Sequence, residues 1–338
     1  MINKEPIRPL SIDGTGHYLP QLEVGNDEFR QLVDTSDEWI RTRTGIRSRH
    51  LAEGEAVWYM GAQAARAALA DACCTAEEID VILVTTVTPD YVTPSVSCVI
   101  QAELGARRAF CLDLNVACSG FVYALDLASR YLQDPAISTV LIVAAELLSS
   151  ITDFTDRSTC VLFGDGAAAV LVRRGDGTSG IHAVELGAEG EKGEVLTASI
   201  ERPTSPFAAA DRGRFPLRFS AARPTLQMAG REVFRFAVTV LADSVQAVLA
   251  KSGAGMEDLD YVIPHQANDR ILEAAAKRLG ISSDRVYAGL DTIGNTSSVS
   301  IPLALDRCRR SGRVRRGDTI AICGFGGGLT YGAALFTL

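Results

Sequence analysis

The sequence predicts an α/β fold made of two duplicated halves, at 1–178 and 179–338. Three observations predict it. Apolar, β-branched runs alternate with alanine- and leucine-rich helical stretches, the pattern of a layered α/β protein. A chain of 338 residues is long for one core. Three landmarks also recur: Glu78-Ile79-Asp80-Val81-Ile82 with Asp258-Leu259-Asp260-Tyr261-Val262, Ala102-Glu103-Leu104-Gly105 with Lys277-Arg278-Leu279-Gly280, and Leu112-Asp113 with Leu290-Asp291. Their offsets are 180, 175 and 178 residues. Any one match recurs by chance in α/β chains; three at nearly one offset point to duplication.

In chain order, Ala62–Ala72 reads as a helix and Val81–Thr86 as a strand. Leu112–Leu114 ends a short strand. The helix from Ser119 to about Leu132 puts Phe121, Leu125, Ala128 and Leu132 on one face. Val140–Val143 and Ala168–Val172 are strands. The least regular stretch, 188–224, holds Pro203, Pro206, Pro216 and Pro224. It reads as a long excursion joining the halves, either shaping a site or merely solvated. Gly230–Lys251 carries an amphipathic stripe of Phe234, Val238, Leu241, Val245 and Val248. Asp260–Ile263 and Thr319–Cys323 are strands, and Val299–Arg310 is a helix.

Composition excludes several classes. A net charge of −8 argues against a general nucleic-acid binder and leaves room for a local basic patch toward one acidic partner. The opening residues lack a secretory pattern, and no apolar run reaches the roughly 18 residues of a membrane span. Eight cysteines without a C-x-x-C pair fit a cytoplasmic protein with reduced thiols. Histidines scattered at 17, 50, 182 and 265 offer no metal site.

Four features carry chemistry. Cys118 stands where a strand ends and a helix begins, and the positive end of the helix dipole favours a nucleophilic thiolate there. A small buried hydrophobe is the alternative. His265, in Pro264-His265-Gln266-Ala267-Asn268, follows a strand, where open α/β sheets place ligand-contacting groups; a structural histidine reads equally well. Asn295, in Ile293-Gly294-Asn295-Thr296-Ser297-Ser298, precedes a helix and is a site residue or an N-cap. If the duplication holds, Cys118 and Asn295 occupy equivalent helix starts. Gly324-Phe325-Gly326-Gly327-Gly328-Leu329-Thr330-Tyr331-Gly332 lets a backbone approach a ligand closely, and it is not a P-loop.

Together with Asp34–Ile40, Thr42–Ile46, Asp156-Arg157 and Phe163–Ala167, these motifs resemble the thiolase-fold condensing enzymes, specifically the β-ketoacyl-[acyl-carrier-protein] synthase III family. The resemblance runs from about Ile12 to Phe336. It implies a five-layered αβαβα fold and an acyltransferase of fatty acid biosynthesis. Cys118 would take an acyl group from acyl-CoA, with the amides of Cys118 and Gly327 as oxyanion hole. His265 and Asn295 would then stabilise the enolate of malonyl-acyl-carrier-protein as carbon dioxide leaves, against a wall formed by Phe325. Acyl-CoA is a substrate, and no cofactor is implied. Trp39 and Arg157 would sandwich the adenine, Arg43 and Thr44 would hold the nucleotide end, and Asn268 would line the pantetheine tunnel. From the residues alone, Trp39 reads as a core aromatic, and Arg43 with Arg41, Arg47 and Arg49 as a solvated charged face. The family's docking region for the acidic carrier protein matches Arg235, Arg270, Lys277 and Arg278. A homodimer is implied.

The chain departs from the family at Thr93, where a phenylalanine from the partner subunit often closes the acyl pocket; the smaller residue predicts chains longer than acetyl. The 188–224 excursion is longer than in compact members, and Leu329 and Tyr331 replace a common Phe and Trp. These departures keep open a specialised-metabolism homologue that condenses or transfers an unusual acyl group.

Overall fold

The computed structural model describes residues 5–199 and 224–338. Most of the 188–224 excursion therefore lies outside the described residues.

The first sheet contains β1 (Ser11–Tyr18), β2 (Val81–Thr85), β3 (Phe110–Leu114), β4 (Thr139–Glu146) and β5 (Gly166–Arg173), in the order β1-β5-β4-β2-β3. The second contains β6 (Gly180–Ala188), β7 (Tyr261–Pro264), β8 (Thr319–Gly326) and β9 (Thr330–Thr337), in the order β6-β9-β8-β7, with Arg8–Pro9 added at the β6 edge. In each sheet two antiparallel pairings are followed by a parallel one. The counterpart of β3 is a single bridge between Val262 and Val286. The parallel registers also match: Val81 opposes Val140, and Tyr261 opposes Ile320.

Both faces of each sheet's centre are covered, so β2, β4, β5, β7 and β8 are buried and almost continuously apolar. Helices α4 (Gly120–Tyr131) and α7 (Ser300–Arg310) lie between the sheets; Phe121, Leu125, Ile301 and Leu305 pack with Leu83 and Ile142 of one sheet and Ile263 and Ile322 of the other. Helices α2 (Val57–Asp71) and α3 (Val96–Leu104) cover the outer face of the first sheet through Met60, Ala64, Ile100, Ile82 and Val84. Helices α5 (Gly230–Ser252) and α6 (Asp269–Leu279) cover the second through Leu241, Val245, Ile271 and Ala321. Five αβαβα layers result, as the motifs imply.

α5 corrects the scan for apolar runs. Its 23 residues include a window of mean hydropathy 1.6, long and apolar enough by composition to cross a membrane. Arg231, Glu232 and Arg235 open it, and its apolar face is committed to the second sheet. The long apolar content belongs to a core helix.

Candidate active site

After β3 the chain passes through Asn115 and Val116 into one 3-10 turn, Ala117–Ser119, before α4. Ala117 has φ of 46°, a left-handed corner that costs a non-glycine residue about 1–3 kcal/mol and must be held by its surroundings. The hold comes from the other half. Ser119 Oγ lies 2.7 Å from Thr330 Oγ1, and the two hydroxyls reach the Val116 carbonyl at 2.8 and 3.1 Å. Gly326 packs directly on the corner, where a Cβ would stand 2.5 Å from the Cys118 nitrogen.

Cys118 donates to Ser297 Oγ at 3.3 Å. The expectation of a dipole-activated thiolate is corrected. Burial pushes the thiol up to about 12; Ser297 opposes the rise and Glu146 adds to it. Part of Cys118 opens on a cavity, but the cavity lies deep enough for desolvation to outweigh the helix terminus.

His265 follows β7 and is buried, its nitrogen donating to the Cys323 carbonyl at 2.8 Å. Nδ1 is 2.7 Å from Ser300 Oγ. Ser300 Oγ also accepts from the Gln266 nitrogen at 3.3 Å; in the tautomer whose Nδ1 accepts the Ser300 hydrogen, the imidazole carries its proton on Nε2. Burial pulls its pKa down to about 3, leaving a neutral donor at physiological pH. Phe325 lies edge-on, with ring centres 5.4 Å apart.

Asn295 is held by its backbone to Leu162 and Gly164. Its Oδ1 accepts from the Ser297 nitrogen at 2.9 Å, which closes a tight turn ahead of α7, while the N-cap position itself is Thr296. With the oxygen engaged, the amide nitrogen is the group left to donate. The equivalence of Cys118 with Asn295 is corrected: Ser297, with φ of 52°, repeats Ala117, which pairs Cys118 with Ser298 and Asn295 with Asn115.

Cys118, His265, Asn295, Phe325 and the glycines 326–328 line one cavity of about 580 Å³. Its far wall is apolar, with Leu148, Ile151, Leu162, Val233, Phe234 and Ile271. Both described ends of the excursion join it: Leu196–Thr197 pairs with Gln227–Met228, and Leu196, Thr197, Leu226 and Met228 are lining residues.

The entrance differs in part from expectation. Trp39 is half-buried on α1 (Asp37–Thr44), between the guanidinium of Arg43 at 4.5 Å and that of Arg157 at 4.7 Å. Arg157 therefore lies directly on the indole and must swing aside for a flat ring to enter. Thr44 is buried, and its hydroxyl is committed to the Ile40 carbonyl and the Ile46 nitrogen. Only Arg43 of that pair presents its side chain outward. Asn268 caps α6 by accepting from Arg270 and donates to the Arg43 carbonyl at 3.0 Å, tying the tunnel wall to α1. Arg49 is not on a solvated face. It is buried, hydrogen-bonded to Val24, Asn26 and Val161, and stacked on Phe29.

Arg235, Arg270, Lys277 and Arg278 are all exposed. Arg278 pairs with Asp243 and Arg235 with Glu232. Thr93 is exposed beside Tyr91 and Val92 and does not line this chain's cavity. Sequence reasoning missed Ser119, Thr330, Ser300 and Glu146. Lone serines, threonines and glutamates carry no spacing signal, and only the 180-residue repeat could have marked Ser300 as the counterpart of Gly120.

Residues 112–190 match the 3-oxoacyl-[acyl-carrier-protein (ACP)] synthase III family, and residues 249–338 match its C-terminal counterpart. The chain is 46% identical to a β-ketoacyl-[acyl-carrier-protein] synthase III of Clostridium acetobutylicum, over 96% of this chain and 97% of that protein. It superposes on the 3-oxoacyl-[acyl-carrier-protein] synthase III of Aquifex aeolicus with a TM-score of 0.88 at 42% identity, covering 97% of this chain and 100% of the other. The priming β-ketosynthase of the R1128 polyketide biosynthetic pathway gives a TM-score of 0.87 at 39% identity, covering 99% and 98%.

Proposed function

Because the chain belongs to the 3-oxoacyl-[acyl-carrier-protein] synthase III family of acyl-transferring condensing enzymes, whose reaction is the decarboxylative condensation that initiates fatty acids, we propose that Cys118, His265 and Asn295 carry that reaction here. The observation behind this is the shared cavity: a thiol, a neutral imidazole and an amide line it together with a bare glycine loop.

Cys118 sulfur attacks the carbonyl of an acyl-CoA. The oxyanion is met by the amides of Cys118 and Gly327, a hole of preorganised donors. The C–S bond to CoA breaks, CoA leaves as the thiol with the proton Cys118 has lost, and an acyl-cysteine remains. Malonyl-acyl-carrier-protein then enters. His265 Nε2–H and the Asn295 amide hydrogen-bond its thioester oxygen, stabilising the enolate as carbon dioxide departs. Neither donor is a carboxylate, so no like charge opposes the enolate. The carbanion attacks the acyl-cysteine, giving β-ketoacyl-carrier-protein and freeing Cys118. No bound cofactor takes part.

Supporting an acyl-CoA entrance are Trp39, Arg43, Arg157 and Asn268 at the mouth; planar stacking suits the adenine once Arg157 moves. Arg235, Arg270, Lys277 and Arg278 offer cations to an acidic carrier protein. Exposed Phe110, Leu112, Tyr91 and Val92 on and near edge strand β3 fit a second copy of the chain, which would also bring Thr93 to the partner's acyl pocket. Eight free cysteines suit the reducing cytoplasm.

Incubation with acyl-CoA, read by intact-protein mass spectrometry, tests the scheme. An acyl adduct absent in Cys118→Ser, and a β-ketoacyl product on adding malonyl-carrier-protein, are expected. No adduct, or an adduct without a new carbon–carbon bond, sinks it.

A second reading has one observation of its own, the 39% identity to a priming ketosynthase of polyketide synthesis. On that reading the same residues condense an unusual starter. A panel of acyl-CoA chain lengths decides: chains beyond acetyl are expected from Thr93, and strict acetyl preference removes both that expectation and the second reading.

A further inference from the structure

Glu146 ends β4 fully buried, and the scheme above does not use it. Its carboxylate accepts from the Val87 nitrogen at 2.9 Å, Thr88 Oγ1 at 3.0 Å and Thr86 Oγ1 at 3.3 Å, all in the first half. From the second half it accepts from Ser298 Oγ at 2.7 Å. Among the described residues no cation forms an ion pair with it. The stabilising groups are these hydroxyls, the Val87 amide and the N-terminus of α7, where an anion is favoured.

Ser297 belongs to two contacts at once. Its left-handed backbone is held by Asn295 Oδ1, its hydroxyl receives the Cys118 thiol at 3.3 Å, and its neighbour Ser298 donates to Glu146. A buried carboxylate and a cysteine linked through the two hydroxyls of one turn, Ser297 and Ser298, form a like-charge pair once both ionise. In a water-poor interior such a pair carries one negative charge far more readily than two.

We propose that Glu146 is a positioning residue that, acting through Ser297, holds Cys118 as a thiol in the resting protein. The inference rests on Cys118 being the nucleophile. Its consequence is a cysteine slow to react with adventitious electrophiles, whose reactivity belongs to the thioester seated against the amides.

The charges that face the pair are few. Among the described residues, Cys118 and His265 are the ionisable side chains lining the cavity, and His265 is neutral above about pH 3. The loop at 86–88 and the α7 start bring Thr86, Thr88, Ser297 and Ser298, none of which titrates. Burial also raises the Glu146 carboxyl, and its hydrogen bonds from Val87, Ser298 and Thr88 resist that rise.

The experiment is the pH dependence of iodoacetamide alkylation at Cys118, resolved by peptide mapping from exposed Cys73 and Cys98. Glu146→Gln removes the charge and keeps the shape. Alkylation about tenfold faster at pH 7 is expected, with the inflection about one pH unit lower, whereas Glu146→Asp keeps the wild-type inflection. An unchanged or higher inflection in a folded Glu146→Gln protein overturns the proposal. If Glu146→Gln fails to fold, Ser297→Ala decides. Cutting the path at the hydroxyl that receives the thiol moves the inflection down, and an unmoved or higher inflection removes Ser297 from the path. Alkylation needs no acyl substrate, so a shifted inflection without an acyl adduct leaves this inference standing while the proposed reaction falls.

Discussion

The two helix starts that meet in the cleft share a backbone and differ in what they carry. Each pair of counterparts is 180 residues apart. The corner residues Ala117 and Ser297 have φ of 46° and 52°, and their 3-10 turns lead into α4 at Gly120 and α7 at Ser300. The parallel registers of β2 with β4 and of β7 with β8 coincide. On this common frame Cys118 answers Ser298, Thr85 answers His265, Gly120 answers Ser300 and Glu146 answers Gly326. The first half supplies a thiol and a buried acid. The second supplies neutral donors and a strand end with no side chain. One geometry occurs twice, and the two copies differ in the side chains that a few positions carry.

The strand-end pair is where the comparison breaks most sharply. At 146 a carboxylate fits because Ser298 and Thr88 hydroxyls surround it. At 326 any side chain collides with the nucleophile's own backbone, 2.5 Å from the Cys118 nitrogen and 2.9 Å from the Ala117 Cβ. Gly326→Ala should therefore cost about 1–3 kcal/mol of stability and displace the Cys118 and Gly327 amides proposed to meet the oxyanion. The rate of Cys118 acylation should fall on the order of a hundredfold or more. Single-turnover acylation by mass spectrometry and a denaturation midpoint measure the two effects. Acylation within threefold of wild type would show that the two strand ends are interchangeable after all.

Much of this frame is legible in the sequence. Phe121, Leu125, Ala128 and Leu132 are spaced as one helical face, and all four are fully buried. The landmark at 78–82 against 258–262 has the true offset of 180 residues. The Leu112-Asp113 match, at 178, led two residues astray and paired Cys118 with the wrong partner. What stayed hidden depends on three-dimensional enclosure. The macrodipole at Cys118 is local and readable, but the depth of the cavity that reverses its effect is made by residues from both halves. Arg49 and Thr44 read as surface residues in a polar run, yet both are buried by the ribbon and helix around them. Arg157 on Trp39 joins positions over a hundred residues apart, and no spacing rule links them.

The next pair, Gly120 and Ser300, sharpens the division of labour. Gly120 has no room for a side chain, because a Cβ there would meet Thr85 Oγ1 at 1.9 Å. Ser300 instead hydrogen-bonds His265 Nδ1 and orients the ring. Ser300→Ala should slow decarboxylation of malonyl-carrier-protein about tenfold, the loss of one orienting hydrogen bond, and leave acylation nearly unchanged. Thr85→Ala should disturb neither, since its hydroxyl is buried without a partner. Carbon dioxide release measured beside adduct formation separates the two steps. In wild type the decarboxylation step should show no histidine inflection between pH 5 and 8, because His265 is pulled down to about 3 and stays neutral throughout. An inflection near 6.5 that vanishes in His265→Ala would mean a charged imidazole takes part.

The smallest expected difference lies one turn further along each helix, and it concerns stability alone. Asp126 on α4 pairs with Arg130 and with Arg8 beside β6; Asp306 on α7 pairs with Arg310 and reaches Thr15 and His17 on β1. Each helix thus ties itself to an edge strand of the sheet contributed mainly by the other half. The environments differ, because Asp306 has no exposed surface and Asp126 retains some. Burial alone would raise the Asp306 carboxyl, but hydrogen bonds from His17, Arg310 and Thr15 outweigh it and hold the pKa at about 2. A folded pKa below the unfolded value of 3.8 stabilises the fold above that value, and the contribution is lost as pH falls through about 2. Asp306→Asn should therefore cost about 2 kcal/mol at pH 7 and nothing near pH 2. Asp126→Asn, at a partly solvated pair, should cost about half as much or less. Urea denaturation of both variants at pH 7 checks the ranking. Equal losses would mean that the two ties, like the two backbones, remain equivalent and that only the cleft has diverged.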